Sequence, residues 1–190
     1  MKFAPGDTAP AIAASTIHGS PARVPDPLPR YVHLQFRRFA GCPVCNFHLL
    51  TMGRRHAEIA AAGIRQLVFF HSSREEMLKY QAQLPFDCVA DPGKKYFKAF
   101  GVETSVRALL SPRVFWSGLR WILAARRFYT KAENGILGLP ADFLVDAHGR
   151  IVACKYGTHA DDHWEVGELL QLASTVQPAP AITASVLPSC

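Results

Sequence analysis

The sequence predicts an α/β fold in three layers, a mixed central sheet with helices on both faces. Three observations predict it. Apolar runs short enough for buried strands, Tyr31 to Phe36 and Gln66 to His71, alternate with segments of helical period. Their alternation calls for parallel strands joined by right-handed crossovers. Further on, Ala141 to Val145 and Arg150 to Tyr156 flank a tight Asp146-Ala147-His148-Gly149 turn, which adds an antiparallel hairpin.

The elements follow in order. Ala11 to Thr16 forms a short strand, His18-Gly19 a turn, and Ala22 to Val24 a return strand. The run Pro25-Asp26-Pro27-Leu28-Pro29 is a stiff connector. Tyr31 to Phe36 places Val32, Leu34 and Phe36 on one face of a strand. After a loop from Arg37 to Gly41, Pro43 to Ala62 is helical: Val44, Phe47, Leu50 and Ile59 suit one buried stripe, Pro43 fits the first turn, and Gly63 stops it. Ser72-Ser73 caps a helix running to about Gln83. Phe86 to Ala90 is a strand, and Asp91-Pro92-Gly93 leads into a short helix ending at Phe97 to Phe100. Trp164 to Ala173 is the closing helix. Residues 1–176 thus read as one domain, and 177–190 as a flexible tail.

Composition sets limits. The 190 residues suit a single domain with a sizeable core. The net charge of +6 is local, because Arg107, Arg113, Arg120, Arg126, Arg127 and Lys131 lie in a stretch, 104–131, without an acidic residue. Aromatic residues interleave with these cations. The stretch reads as an insertion forming an amphipathic helix with a solvated basic edge; lid, acidic-partner and interfacial roles stay open. No nucleic-acid motif accompanies the charge, so no nucleic-acid partner is expected. No signal peptide is visible, and Val114 to Ala125 falls short of the ~20 residues that span a bilayer. Five cysteines, an odd count with one close pair, do not form a secreted disulfide framework. A reducing, cytoplasmic setting is expected, without membrane contact.

The close pair carries the chemistry. Cys42-Pro43-Val44-Cys45 sits where a strand hands over to a helix. The first cysteine caps the helix, where free N–H groups and the dipole stabilise a thiolate. Cys45 lies one turn on, within reach of a disulfide. Two other readings of the pair are buried small residues at a tight junction and half of a zinc site. Structural zinc wants four ligands, commonly from two such clusters, and only one cluster is present. Hence no metal and no organic cofactor is expected. Cys88 and Cys154 read as core residues. The histidines, His159 and His163 included, show no ligand spacing and read as surface loop residues.

These residues carry a family resemblance. Phe36-Arg37-Arg38-Phe39-Ala40-Gly41-Cys42-Pro43-Val44-Cys45-Asn46 resembles the active-site segment of the peroxiredoxin-like AhpC/TSA (redoxin) family, whose CxxC members carry Phe-Tyr-Arg-Gly-x-Trp-Cys-Pro-x-Cys-Asn. Gly6-Asp7-Thr8-Ala9-Pro10 is similar to the family's entry motif. Leu139-Pro140-Ala141-Asp142-Phe143-Leu144-Val145-Asp146 is similar to its penultimate hairpin. Phe39 stands where typical peroxiredoxins have Thr, Gln35 where they have Pro, and Gly41 where the CxxC members have Trp. The resemblance implies a thioredoxin-like three-layer sandwich and a cis bond at Leu139–Pro140. It implies Cys42 as nucleophile and Cys45 as its resolving partner; Arg38 is the candidate stabiliser of the thiolate, and Arg37 could substitute for it. Pro43, Leu139 and Pro140 would meet the substrate.

The implied activity is peroxide reduction through a Cys42–Cys45 dithiol/disulfide cycle, with a dithiol protein such as a thioredoxin as reductant. The alternatives are protein-disulfide exchange with the same two sulfurs, or a non-enzymatic module that binds a partner or lipid through the basic segment. A homodimer is left open.

Overall fold

The computed structural model describes residues 1–102, 135 and 138–175. The basic stretch 104–131 and the tail 177–190 lie outside the described residues.

The chain opens with a two-stranded antiparallel hairpin, β1 (Ile12–Ser15) and β2 (Pro21–Val24). The main sheet has five strands: β3 (Tyr31–Arg37), β4 (Ile64–Phe70), β5 (Asp87–Ala90), β6 (Ala141–Asp146) and β7 (Ile151–Tyr156), in the order β5-β4-β3-β6-β7. The β3–β4 and β4–β5 pairs are parallel, and β3–β6 and β6–β7 antiparallel. The helices are α1 (Pro43–Arg54), α2 (His56–Ala61), α3 (Arg74–Leu78), α4 (Lys95–Ala99) and α5 (Val166–Thr175). The mixed sheet between helices is as predicted, and β3 is its central strand.

Alternation along β3 separates two cores. Val32, Leu34 and Phe36 join Leu67, Phe69, Phe97, Phe100 and Phe143 on one face. Phe36 lies 5.1 Å from the rings of Phe69, Phe97 and Phe100. On the other face, residues of α1, α2 and α5 (Leu49, Met52, Ile59, Leu169) pack with Val68, Phe70 and Leu144.

Three local expectations are corrected. The helix predicted over 43–62 is two helices, because Arg55 (φ −108°, ψ 18°) leaves helical values. Gly53, a weak helix former, precedes the break and packs on Pro85, whose Cδ lies 3.4 Å from where a Cβ would stand. The buried stripe of α1 is Val44, Cys45, His48, Leu49 and Met52, while Phe47 is half-buried and Leu50 exposed. The cap of α3 is as expected, Ser73 Oγ accepting from the Glu76 N–H at 3.3 Å. The helix itself ends at Leu78 rather than about Gln83, and Gln81 then turns inward to a buried position. Among the described residues no helix is long and apolar enough to cross a membrane.

The third correction concerns Pro140. The cis peptide bond among the described residues is Val24–Pro25, and Leu139–Pro140 is trans. Trans is the ordinary state of an X–Pro bond. The Pro140 carbonyl accepts the Gly157 N–H at 2.9 Å.

Candidate active site

Cys42 is the N-cap of α1. Its backbone is extended (φ −61°, ψ 115°), and its Sγ accepts the Cys45 N–H at 3.3 Å. Pro43 follows in the first turn, where a missing N–H costs nothing. No acidic residue stands in that turn to oppose an anion. Sequence reasoning placed the pair at this junction, and the helix start lies there.

Arg38 completes the first contact. Its Nη2 donates to Cys42 Sγ at 3.1 Å. The guanidinium also lies over the Phe39 ring, 5.7 Å from its centre. The aromatic side chain found in place of Thr therefore supports the arginine that faces the sulfur.

Arg37 points elsewhere and does not substitute for it. Its guanidinium binds Asp142 in a two-pronged pair, Nη2 to Oδ1 at 2.8 Å and Nη1 to Oδ2 at 3.2 Å, and also donates to Gln35 Oε1 at 2.8 Å. His33 Nε2 meets Asp142 Oδ1 at 2.9 Å. All four side chains are buried beneath α1. Burial alone would push the Asp142 carboxyl up. The Arg37 charge and the His33 hydrogen bond outweigh it and hold the carboxyl far below the usual carboxylate range. Burial lowers His33 below its ordinary value against the pull of Asp142, so it is neutral near pH 7.

The two thiols are buried and within hydrogen-bond reach of each other. They share one negative charge, and its placement is a property of the pair. Burial opposes the charge on both. The Cys42 hydrogen bond and the Arg38 charge overcome it at Cys45, which drops to about 5, while burial and the Cys45 charge push Cys42 up. Arg38 Nη2 and the Cys45 N–H converge on Cys42 Sγ, and Arg38 also hydrogen-bonds Cys45 through its side chain and its backbone. The first ionisation of the pair thus lies at about 5, and Arg38 hydrogen-bonds both sulfurs.

A clamp that sequence reasoning missed holds the loop before the helix. Asn46 Nδ2 donates to the carbonyls of Ala40 (2.7 Å) and Cys42 (3.0 Å). Gln81 Nε2 donates to Ala40 O (2.8 Å) and to Asn46 Oδ1 (2.7 Å). Ser72 Oγ accepts the Ala40 N–H at 2.9 Å. Of these only Asn46 carried a signal, as part of the family pattern; Gln81 lies on another element.

Gly138 was missed as well. A Cβ there would stand 3.3 Å from Arg38 Cγ and 3.2 Å from His71 Nε2. Its neighbours Leu139 and Pro140 line a small crevice with Lys2, Val102, Tyr156 and Gly157, a set without either active-site cysteine. A larger cavity of about 670 Å³, lined by His18, His56 and Phe86 among others, lies at the other end of the parallel strands. None of the candidate residues lines it.

The remaining cysteines and histidines divide. Cys88 is buried, and Cys154 is half-buried with its Sγ 3.3 Å from Phe3 O; both are free thiols. His163 is corrected from a surface position to a buried one. It stacks on His48 of α1 with ring centres 3.5 Å apart. Their ligand atoms and a Glu165 carboxylate oxygen all lie within 4.8 Å of one another. Burial, then the neighbouring His163 and Arg37, hold His48 well below its ordinary value.

The chain matches the AhpC/TSA family over residues 5–154. No curated protein sequence matches it. Its structure is similar to that of peroxidoxin BcpB from Mycobacterium tuberculosis, with TM-score 0.67 and 14% identity over 92% of this chain and 99% of that one. It is similar to a 2-Cys peroxiredoxin of Plasmodium vivax, with TM-score 0.64 and 15% identity over 90% and 81%. It is also similar to a protein described as the thiol:disulfide interchange protein DsbE of Chlorobium tepidum, with TM-score 0.60 and 19% identity over 90% and 99%. At these identities the likeness is one of fold.

Proposed function

The chain belongs to the AhpC/TSA family, and from that premise we propose that it is a thiol-dependent oxidoreductase that reduces peroxides through Cys42 and Cys45. The observation that carries this reading is the Arg38 guanidinium 3.1 Å from a sulfur at a helix N-cap. A cation and a free N–H directed at one sulfur stabilise a thiolate and the charge that develops on an attacked oxygen.

The Cys42 thiolate attacks the terminal oxygen of a hydroperoxide. The O–O bond breaks, the leaving oxygen takes a proton, and Cys42 becomes a sulfenic acid. Cys45 attacks that sulfur and water leaves, which closes the disulfide. A dithiol protein such as a thioredoxin then reduces it by exchange. Pro43 at the helix start, with Leu139 and Pro140 near Gly138, are the proposed substrate-facing residues. A reducing compartment, the cytoplasm, suits a site that must return to two thiols.

Both sulfurs are buried. Hydrogen peroxide, close to water in size, needs a smaller opening than a folded protein carrying a disulfide. One observation favours the exchange reading instead: Phe39 offers no hydroxyl to position a peroxide. Stopped-flow oxidation of the reduced protein by H2O2, followed by mass mapping, separates the two. Fast formation of a Cys42–Cys45 disulfide, lost in Cys42→Ser, supports the peroxidase. Slow oxidation with rapid reduction of a disulfide substrate would transfer the assignment to exchange.

A further inference from the structure

The buried histidine pair lies outside the thiol chemistry described above. His48 is on the helix that starts at Cys42, and His163 and Glu165 precede α5. Both imidazoles are buried, and Glu165 is exposed. The nitrogens are unevenly used. His48 Nε2 meets the Trp164 carbonyl at 3.0 Å, and its Nδ1 has no hydrogen-bond partner. His163 Nε2 faces Asp161 Oδ1 at 3.2 Å without hydrogen-bond alignment, and its Nδ1 has no partner.

Two buried rings with unused nitrogens are costly in a core, where nearly every polar atom is matched. We propose that His48, His163 and Glu165 form a binding site for a divalent transition cation of the zinc class. Two imidazoles and one carboxylate are a zinc donor set that leaves a position for water. The outer contacts fit as well. A ligating histidine turns its second nitrogen to a backbone carbonyl or carboxylate, as His48 does to Trp164 O and His163 to Asp161.

Bonds of ~2.0–2.2 Å place tetrahedral ligand atoms roughly 3.3 Å apart. The 4.8 Å limit on the three donors therefore leaves up to about 1.5 Å to close. The exposed Glu165 side chain can swing to close part of that distance, and the two imidazoles, stacked 3.5 Å apart at 30°, must open for their in-plane lone pairs to meet at one cation. The nearby cation of Lys155 donates to the His163 carbonyl at 3.3 Å and is engaged by Asp162 at 3.0 Å. A bound cation would tie the active-site helix to the segment that enters α5.

Titration of the untagged, full-length protein with Co²⁺, read by its visible ligand-field absorption, tests the site. One equivalent should bind without the intense charge-transfer band that thiolate ligands give. Binding should persist in the Cys42→Ser/Cys45→Ser double variant and weaken roughly tenfold or more in Glu165→Gln. That exposed position keeps the test valid if His163→Ala fails to fold. Zn²⁺ should raise Tm in the wild type and much less in Glu165→Gln. Failure to bind Co²⁺ at millimolar concentration would overturn the site. So would binding that disappears with the two cysteines, or that Glu165→Gln leaves intact. None of these readouts depends on peroxide turnover.

Discussion

Arg38 and Arg37 are neighbours in sequence with separate work. Arg38 reaches Cys42 Sγ, whereas Arg37 is spent on Asp142 and Gln35. The cation favours the anion, so its removal should raise the first ionisation of the cysteine pair. In Arg38→Gln that ionisation should move from about 5 toward the ordinary thiol value of ~8.5, read as thiolate ultraviolet absorbance against pH. The rate with H2O2 at neutral pH should fall by about 10²–10³, the usual cost of losing one charge-stabilising donor. An unchanged titration would mean that the helix terminus alone sets thiol acidity. Gly138→Ala probes the same contact from the opposite side. Its Cβ must displace Arg38 Cγ or His71 by a few tenths of an ångström, and a several-fold loss of rate is expected with little change in Tm.

At the scale of elements, the loop from Phe39 to Cys42 is irregular backbone in a buried place, and such backbone needs partners. Asn46 from α1, Gln81 from beyond α3 and Ser72 from the end of β4 provide them. Three separate elements thus fix the position of Ala40, two residues before the sulfur. Gln81→Ala removes donors to Ala40 O and Asn46 Oδ1 at once. It should destabilise the fold by about 1–3 kcal/mol in urea unfolding, and it should loosen the loop enough to speed alkylation of Cys42 by a bulky maleimide. Equal alkylation rates in both proteins would show that the clamp does not govern access.

Across the whole molecule, a buried polar seam runs under the active-site helix, where a sheet fold ordinarily has apolar contacts. His33, Gln35 and Arg37 occupy alternate positions of β3, and Asp142 stands opposite Gln35 on β6. Asp142 titrates lower folded than unfolded. Its contribution to stability is therefore complete above the unfolded aspartate value of ~3.9 and is lost as pH falls below it. His33 also titrates lower in the fold, so its contribution is present above ~6.5 and declines as pH drops from there. Urea midpoints should fall steadily from pH 7 to pH 3. Asp142→Asn leaves Arg37 buried without its counter-charge and should cost about 3–5 kcal/mol at pH 7, with a flatter profile below pH 4. A variant as stable as the wild type would show that the seam is solvated in solution.

The order of strands and helices was readable from local pattern, because strand and helix periods repeat over a few residues. So was the Cys42–Cys45 junction, since a helix N-terminus and a one-turn spacing are local facts. Even within that range, α1 ends at Arg54, just past Gly53 packed on Pro85, and its buried stripe includes Leu49 and Met52. Tertiary structure decided the rest. The division of labour between Arg37 and Arg38 depends on Asp142, 105 residues from Arg37, arriving on the neighbouring strand in the right register. Gln81 meets Ala40 across 41 residues, and His48 meets the Trp164 carbonyl across 116. No spacing rule reaches so far. Those pairings exist only once β3 lies between β4 and β6 with α1 packed across it, and that packing is a property of the whole chain.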